Sequence, residues 1–513
     1  MSGISNSFDD AEQGTRSNLG VARYDQPPIS SGASSSTTSL STFSHAHSYR
    51  LSPSKPSASS SALPLSSSNL QQCAFAYQSS MQQLQNSNDP VLHRAPESLL
   101  GSLYSYDSTR DLPNFLRQLH GRTFNSLNEA YILPSDETEW ERLDKQHSAL
   151  YIGMDGLSPC MEELDAILAP GGEQRHVADF GCGTGTWAIQ MATKYPHVTV
   201  LGVDVAPTPV DQSLFPPNLT FEIDDINLGL THFHGQFDVI HMRCVNTGIT
   251  DIDRTFVDLQ QCLKPGGLLI IVDGDIWIGA EDKETVVKNA KVEGDGDVSG
   301  VSEDGSWFRR FMFEINEASK LAGSSLERGR EKFAYGLWDQ PMMDPSTAFG
   351  GGVYLPLGPW ARGQNQAEND ALLYAGILMR QNILKVHRAF HSMFLRFGMD
   401  QATLDEWSQR ADEELTLMRP RTWVRFRFCW ARKRAESGGP APVLSSIETL
   451  ETDPEGKPKR TIQRRPRTYP AIEIWDTREE SVYQWNKRKG TMGEQPPSFL
   501  QRAWRQKQAK QQS

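Results

Sequence analysis

Cysteine is scarce in this 513-residue chain, and none of its six cysteines belongs to a Cys-x-x-Cys pair. We therefore expect neither a disulfide framework nor a metal site, and interpret the cysteines as small buried side chains in a reducing compartment. Long apolar runs are also missing: none approaches the roughly 18 residues of a membrane-spanning helix, and the polar N-terminus lacks the apolar core of a secretory signal. The sequence thus predicts a soluble, intracellular protein, cytoplasmic or nuclear, without a membrane partner.

Positive charge is in short supply as well, because 51 Lys and Arg face 63 Asp and Glu, a formal net charge of −12. Nucleic-acid binding needs clustered Lys and Arg, so a nucleic-acid partner is disfavoured. A basic cluster does occur late in the chain, at Lys457-Pro-Lys-Arg460 and Arg464-Arg-Pro-Arg467. Such a cluster is typical of a nuclear localisation signal, of a nucleic-acid-binding patch or of a merely solvated tail, and all three interpretations stay open.

Hydrophobic residues make up only 38% of the chain, and they are unevenly distributed. Residues 1–110 are rich in Ser, Gln and Pro and cannot bury enough apolar surface to offset chain entropy. We therefore expect a disordered arm over 1–110, a folded domain over 111–435 and a disordered, partly basic tail over 436–513. The two tails are candidate binding sites for protein partners.

Apolar strand patterns alternate with helical patterns in the middle of the chain. Strands are predicted at 176–180, 198–204, 219–223, 237–242 and 268–273, and helices at 186–194 and 252–263. Such alternation predicts an α/β fold: a Rossmann-like, mostly parallel sheet with helices on both faces, spanning about 170–275.

The flanks of this sheet have their own patterns. A helix is predicted after Pro134, capped by Ser135 or Asp136, with Trp140, Leu143 and His147 on one face. Residues 279–305 are acidic and Gly-rich, so we expect a long solvated loop. Helices at 307–321 and 372–397 and a strand at 422–431 then predict a helical cap with late strands over 306–435.

The segment Val177-Ala-Asp-Phe-Gly-Cys-Gly-Thr-Gly-Thr-Trp187 joins the first predicted strand to the first helix. Glycines at 181, 183 and 185 permit a sharp turn and the close approach of a ligand. A dinucleotide-binding loop would place glycine at 186, where this chain has Thr186. The spacing is instead G-x-G-x-G, with Asp179 two residues ahead.

Acidic residues end the next two strands. Asp204 follows Gly185 by about 20 residues, the place of an acid that accepts hydrogen bonds from ribose hydroxyls. Asp224 and Asp225 end the third strand, where they would face an adenine edge. All of these acids lie at carboxyl ends of strands, where open α/β sheets bind ligands.

In this order and spacing, the D-x-G-x-G-x-G loop, the later acids, Phe237-Asp-Val-Ile and Leu263-Lys-Pro-Gly-Gly267 resemble class I S-adenosylmethionine-dependent methyltransferases. The resemblance implies that Asp179, Gly181, Gly183 and Gly185 hold the methionine part of S-adenosyl-L-methionine. It further implies that Asp204 binds the ribose and that Asp225 with Ile226 binds the adenine. A nucleotide-free α/β domain and an NAD-dependent dehydrogenase are the alternatives.

A narrower resemblance covers roughly residues 125–435. The motif Y-x-L-P-x-D-x-x-E-x-x-R-L-D-x-Q-H over 131–147 resembles the helix before the glycine loop in fungal methyltransferases of the secondary-metabolism regulator type. Pro356-Leu-Gly-Pro-Trp360 and the helix with Gly376 and Asn382 resemble the cap of that family. The 279–305 insertion, the 321–352 stretch and both tails depart from it, which leaves the substrate in doubt.

Catalytic residues are weakly marked. His147 and His241 are candidate general bases, and Arg243 is a candidate ligand for an acidic substrate group, but a structural role is an alternative for each. His232 and His234 have the spacing of a metal pair without further ligands, which favours a surface turn. The sequence predicts a methyltransferase acting on an unidentified small molecule or protein, with a non-catalytic regulatory scaffold as the alternative. The acceptor, the methylated atom and the oligomeric state are not encoded in these patterns.

Overall fold

The computed structural model describes residues 114–435 and 472–512, together with the backbone of four short strands outside these ranges. All of them belong to one of the two units into which the chain divides, which comprises residues 1–24 and 91–513. The other unit, residues 25–90, lies outside the described residues, as does most of the expected arm over 1–110.

The N-terminal elements lead up to the sheet. In chain order they are β1 (Ala22–Tyr24), β2 (Tyr104–Tyr106), β3 (Leu116–Leu119), β4 (Arg122–Asn125), α1 (Glu137–Met154) and α2 (Met161–Ile167). Strands β1 and β2 pair in parallel, so two short pieces of the expected arm are strands. Helix α1 is capped by Asp136, one of the two predicted capping residues, whose side chain accepts a hydrogen bond from the Glu139 amide. Of the three residues predicted to share one face of this helix, Trp140, Leu143 and His147, only His147 is buried. The same helix also carries a buried ion pair between Glu139 and Arg142.

The predicted Rossmann-like alternation is confirmed in the centre of the chain. The elements are β5 (His176–Phe180), α3 (Thr186–Lys194), β6 (Thr199–Asp204), β7 (Leu219–Ile223), β8 (Phe237–Arg243), α4 (Ile252–Cys262) and β9 (Leu263–Gly279). The strands pair in parallel in the order β9-β8-β5-β6-β7. The register between β8 and β9 shifts between Phe237 and Val239, which accommodates the Lys264–Gly267 turn as a bulge within β9.

The sheet is covered on both faces, because consecutive strand residues enter different cores. Val177 and Val200 pack in one apolar cluster, whereas Ala178 and Leu201 pack in another. Helices α1 and α3 contribute to the first cluster, and α4 contributes to the second. Each strand is therefore a nearly continuous apolar run whose successive side chains pack on opposite faces, as a parallel sheet covered on both faces requires.

The second half adds strands and a helical layer. The elements are β10 (Asn289–Ala290), β11 (Val301–Ser302), α5 (Trp307–Leu321), α6 (Leu326–Tyr335), β12 (Phe349–Pro356), α7 (Gln366–Ala389), α8 (His391–Arg396), α9 (Gln401–Leu417) and β13 (Trp423–Arg432). Strand β13 lies antiparallel between β9 and β12. The expected solvated loop over 279–305 is instead a folded insertion: β10 pairs with β11, and buried Asp295 forms a 2.7 Å ion pair with Arg310.

The C-terminal segment departs most from expectation. Its elements are β14 (Glu448–Thr452), β15 (Pro458–Ile462), β16 (Ile472–Trp475), α10 (Arg478–Thr491) and α11 (Phe499–Gln512). Strand β16 pairs antiparallel with β12, so the expectation of a disordered tail is wrong for 472–512. The Glu314 carboxylate accepts hydrogen bonds from the Phe499 amide (2.9 Å) and the Leu500 amide (3.1 Å), and the Leu500 side chain is fully buried. These contacts with α5 fix the start of α11.

Candidate functional site

A cleft of about 860 Å³, measured to its open mouth, lies at the carboxyl ends of β5, β6, β7 and β8. The chain runs outward from β5 to β7 and then returns to place β8 on the other side of β5. Ligands of open α/β sheets bind at such a reversal. Six of the seven residues that the sequence assigned to a cofactor line this cleft, namely Asp179, Gly181, Gly183, Asp204, Asp225 and Ile226; Gly185 does not.

The glycine loop forms the floor of the cleft. Gly181, Gly183 and Gly185 have φ angles of +74°, +56° and +77°, which side-chain-bearing residues rarely adopt. A Cβ on Gly181 would lie 2.3 Å from a Val245 methyl carbon, so this glycine is required by packing. A Cβ on Gly183 would meet only a Leu143 methyl carbon, at 3.5 Å, so the loop is open toward the cleft at this position.

The Asp204 carboxylate is tied to this loop. Its Oδ2 accepts a 2.8 Å hydrogen bond from the Gly183 amide, and its Oδ1 accepts one of 3.0 Å from the Ala206 amide. Burial raises the pKa of Asp204 to about 6, although the two amide hydrogen bonds oppose the shift. Because ionisation of this carboxylate is unfavourable, further hydrogen-bond donors in the cleft, such as hydroxyl groups, would stabilise its ionised form.

The acids after β7 lie farther along the cleft. Asp225 Oδ1 accepts hydrogen bonds from the Asn227 amide (3.0 Å) and from Asn227 Nδ2 (2.8 Å), and burial raises the Asp225 pKa. Ile226 follows directly and presents an apolar side chain at the same place. An apolar surface next to a polar edge suits a planar heterocycle. The glycine loop, the partly buried Asp204 carboxylate and this apolar edge together fit a nucleoside-bearing cofactor.

Asp179 holds a histidine. Its Oδ1 accepts a 2.8 Å hydrogen bond from His241 Nδ1, and both side chains are buried. The His241 ring stacks on Trp187 with a centroid separation of 3.9 Å and an interplanar angle of 7°. Burial lowers the His241 pKa despite the Asp179 charge. Because His241 does not line the cleft, this geometry gives it a positioning role beneath the loop.

His147 lines the cleft, but both of its ring nitrogens have partners. Nδ1 accepts a 2.8 Å hydrogen bond from Arg243 Nη2, and Nε2 donates one of 2.9 Å to Gln190 Oε1. Burial and the neighbouring Arg243 charge lower the His147 pKa to about 3. A neutral, doubly engaged imidazole is a poor proton acceptor. Arg243 Nη1, by contrast, is buried and has no hydrogen-bond partner among the described residues.

Sequence reasoning missed several residues of the cleft wall. Asn128, Tyr131, Gln146 and Cys244 line it, and three of them precede the glycine loop in the chain. Tyr131 and Gln146 belong to the 131–147 motif, which was the only signal for them. The same motif supplies a clamp, because Asp144 Oδ1 accepts hydrogen bonds from the hydroxyls that flank Gly185: Thr184 Oγ1 at 2.9 Å and Thr186 Oγ1 at 2.8 Å.

The metal-like histidine spacing has a structural explanation. His232 Nε2 lies 3.2 Å from Asp224 Oδ2, and within the described ranges no group of His, Cys, Asp and Glu could hold a metal ion.

No helix in the described part of the chain is long and apolar enough to cross a membrane.

Comparisons with known proteins agree with this geometry. Residues 172–311 match the profile of a family described as a methyltransferase domain. The secondary metabolism regulator laeA of Coprinopsis cinerea is 38% identical over 163 residues, which are 32% of this chain and 40% of that protein. The methyltransferase str2 of Strobilurus tenacellus is 33% identical over 152 residues, 29% of this chain and 50% of that protein. The protein-methionine methyltransferase laeA of Emericella nidulans is 29% identical over 321 residues, 62% of this chain and 76% of that protein.

The fold, the glycine loop and the profile match define the class: the chain contains a class I S-adenosylmethionine-dependent methyltransferase domain. Within that class it resembles the fungal secondary-metabolism regulators. The matched segments span about half or less of the first two relatives.

Proposed function

We propose that the protein transfers the methyl group of S-adenosyl-L-methionine to an acceptor that reaches the cleft between α1 and the end of β8. The observation that carries the proposal is the arrangement of Gly183, Asp204 and Asp225 along one cleft. Bound there, the cofactor would supply a sulfonium-activated methyl group, to which the acceptor's electron pair bonds as the carbon–sulfur bond breaks and S-adenosylhomocysteine leaves. The protein's contribution is alignment, which can be worth several kcal/mol.

The proposed binding roles follow the order of residues along the cleft. Asp179 and the open glycine loop at Gly181 and Gly183 hold the methionine part, with Gly185 shaping the loop from behind. Asp204 accepts hydrogen bonds from the ribose, and Asp225 with Ile226 contacts the adenine. Arg243 supports binding of an acidic group, because its Nη1 is a buried donor without a partner among the described residues.

The chemistry of the wall favours an acceptor that needs no deprotonation. Both ring nitrogens of His147 are engaged, and His241 lies outside the lining. Burial also raises the pKa of the Cys244 thiol to about 12. A thioether sulfur attacks without losing a proton, and the Emericella nidulans relative is named for methyl transfer to protein methionine. We therefore favour a thioether acceptor, and an oxygen acceptor is the second candidate.

A non-catalytic regulatory scaffold remains the competing function, since partner binding needs only the fold. The glycine loop that is open toward the cleft and the Asp204 carboxylate that is unfavourable to ionise both favour catalysis, because a scaffold gains nothing from either. The proposed location is the cytoplasm or the nucleus, with protein partners bound by the terminal segments. The basic cluster Lys457–Arg467 supports nuclear import, and imaging a fluorescent fusion with and without these charges tests it.

Titration calorimetry with S-adenosyl-L-methionine tests the binding roles. Asp204→Ala should weaken binding at least tenfold, because a hydrogen bond to a charged group contributes about 1.5–3 kcal/mol and tenfold is about 1.4 kcal/mol. Asp211→Ala is the matched control, since Asp211 is an exposed acid beyond β6 that does not line the cleft. Equal affinity in the two variants would remove Asp204 from the site. Labelled methyl transfer to methionine-containing peptides then tests the acceptor.

A further inference from the structure

The wall of the cofactor cleft carries more acidic groups than cationic ones. Four acids line it, namely Asp179, Asp204, Asp224 and Asp225. Among the described residues, Arg243 is the only lining residue with a guanidinium or an ammonium group. S-adenosyl-L-methionine brings a sulfonium, an ammonium and a carboxylate group. The acids attract the first two groups and repel the third, so a carboxylate in this cleft has one cation to pair with, Arg243.

Arg243 ends β8, next to the glycine loop and away from the adenine end of the cleft. Strands β5 and β8 pair in parallel with Phe180 opposite Met242, so Arg243 follows level with Gly181. Strand β7, which leads to Asp225, lies three strands away in the order β8-β5-β6-β7. With neighbouring strands about 4.8 Å apart, that separation is roughly 14 Å. Arg243 is therefore placed for the methionine end of the cofactor.

The protein uses only part of the Arg243 guanidinium. Within the described residues, its side chain forms one hydrogen bond, in which Nη2 donates to His147 Nδ1 at 2.8 Å. Nη1 is buried and has no partner there. The Asp179 charge acts on Arg243, but the two side chains form no ion pair, and burial lowers the Arg243 pKa. A cation with unused donors in such surroundings is stabilised by an anion that accepts its hydrogen bonds.

His147 holds this guanidinium in one orientation. Gln190 Oε1, on α3, accepts a 2.9 Å hydrogen bond from His147 Nε2. That acceptor selects the tautomer with its proton on Nε2, so the lone pair of Nδ1 is left for Arg243. Because the His147 pKa is about 3, the imidazole stays neutral and keeps this lone pair. His147 is therefore a positioning residue for Arg243, which accounts for a buried histidine in the cleft without a role in proton transfer.

We propose that Arg243, oriented by His147, binds the methionine carboxylate of S-adenosyl-L-methionine and so selects the complete cofactor. The inference rests on the proposed function and names the acidic group that Arg243 binds. Guanidinium and carboxylate groups form strong, charge-assisted hydrogen bonds with matching geometry. With Arg243 engaged by the cofactor, no other cation among the described lining residues is left for the acceptor. An acidic acceptor is therefore disfavoured.

Calorimetry on the full-length protein tests the assignment with two ligands. Decarboxylated S-adenosylmethionine keeps the sulfonium and the amine of S-adenosyl-L-methionine and lacks only the carboxylate. We expect the wild-type protein to bind S-adenosyl-L-methionine about tenfold more tightly than the decarboxylated ligand. Arg243→Met should abolish this selectivity by weakening the binding of S-adenosyl-L-methionine alone. His147→Phe should reduce the same selectivity, which a merely structural role of His147 would leave unchanged.

Arg328→Met is the matched control, because Arg328 is an exposed arginine that does not line the cleft, and it should keep the wild-type selectivity. Equal wild-type affinity for the two ligands overturns the assignment and needs no variant to fold. So does an Arg243→Met protein that loses both ligands equally or keeps full affinity for S-adenosyl-L-methionine. These results leave the proposed function standing, since the wild-type protein still binds the cofactor. A wild-type protein that binds neither ligand contradicts the proposed function itself and the assignment with it.

Discussion

The Arg142 guanidinium donates a 2.6 Å hydrogen bond to the side-chain oxygen of Asn382, which lies 240 positions later in the chain. Arg142 is held in place by its buried ion pair with Glu139, and it also donates to Gln146 Oε1 at 2.9 Å. The contact fastens α1 to α7. Because α1 also carries Asp144, which binds the glycine loop, a cap residue that does not itself line the cofactor cleft helps to fix that loop.

Asn382→Ala should therefore destabilise the domain. The substitution leaves a buried Arg142 donor without its acceptor, which costs about 1–3 kcal/mol in unfolding free energy. Urea denaturation measures the change. Gln381→Ala, at an exposed position on the same helix, is the control and should stay within about 0.5 kcal/mol of wild type. Equal stability of the two variants would mean that the contact does not fasten the helices.

Cofactor binding should depend on pH through Asp204. Burial raises the pKa of Asp204 to about 6 in the free protein, and hydroxyl donors bind the ionised carboxylate. Affinity for S-adenosyl-L-methionine should therefore rise as the pH rises through 6, by about tenfold from pH 5 to pH 7, because protons compete with the ligand below the pKa. His147, with a pKa of about 3, does not titrate in this range.

Asp204→Asn supplies the control for this pH dependence. The amide has a similar shape but no titration, so its weaker binding should be nearly independent of pH between 5 and 7. A wild-type affinity that is equally flat in calorimetry would show that Asp204 is not the titrating group. A slope retained by Asp204→Asn would point to another carboxylate whose pKa burial raises, either Asp225 in the cleft or Asp273, whose pKa is raised to about 6.

The parts of the fold that were predictable are those fixed by local sequence. Helix α3 has the predicted bounds, and the acids at 179, 204 and 225 reach one cleft because they end neighbouring parallel strands. Strand β12 was missed, since Gly350–Gly352 has low strand propensity. Close neighbours impose that strand: a Cβ on Gly351 would lie 2.2 Å from the Glu473 carbonyl oxygen.

Contacts between residues far apart in the chain explain the remaining differences between the predicted and the observed structure. The polar composition of the last residues favoured disorder, but Trp475 and Leu500 are both buried, and α11 begins on Glu314, 186 positions before Leu500. His147 looked like a general base because its partner Arg243 is 96 positions away. Neither pairing leaves a local pattern, so composition and spacing could not reveal them.

The C-terminal helix should contribute measurably to stability. Leu500 is fully buried among the aromatic side chains of α5, α8 and α9, so Leu500→Ala should cost about 2–5 kcal/mol in unfolding free energy. Leu417→Ala is the matched control, because Leu417 is 53% exposed at the end of α9. Thermal and urea unfolding measure both variants. A Leu500→Ala protein as stable as the control would mean that α11 does not pack on the domain in solution.

Gly183→Val separates an enzyme from a scaffold. The new side chain would point into the open part of the cleft, where only Leu143 is near, so cofactor binding should fall at least tenfold. The positive φ of +56° adds backbone strain of about 1–2 kcal/mol or more. Gly235→Val is the matched control for that strain, since Gly235 has a φ of +69° and open space around its Cβ, away from the cleft.

The decisive measurement is replacement of the native protein in cells by each variant. Circular dichroism and melting temperature must first show that both are folded, which separates strain from loss of the cofactor. If the protein acts by methyl transfer, Gly183→Val should abolish its cellular effect and Gly235→Val should preserve it. A scaffold would tolerate both substitutions, because its partners read the surface and not the cleft. A folded Gly183→Val protein that no longer binds the cofactor, yet fully replaces the native one, would therefore rule out methyl transfer as its cellular role.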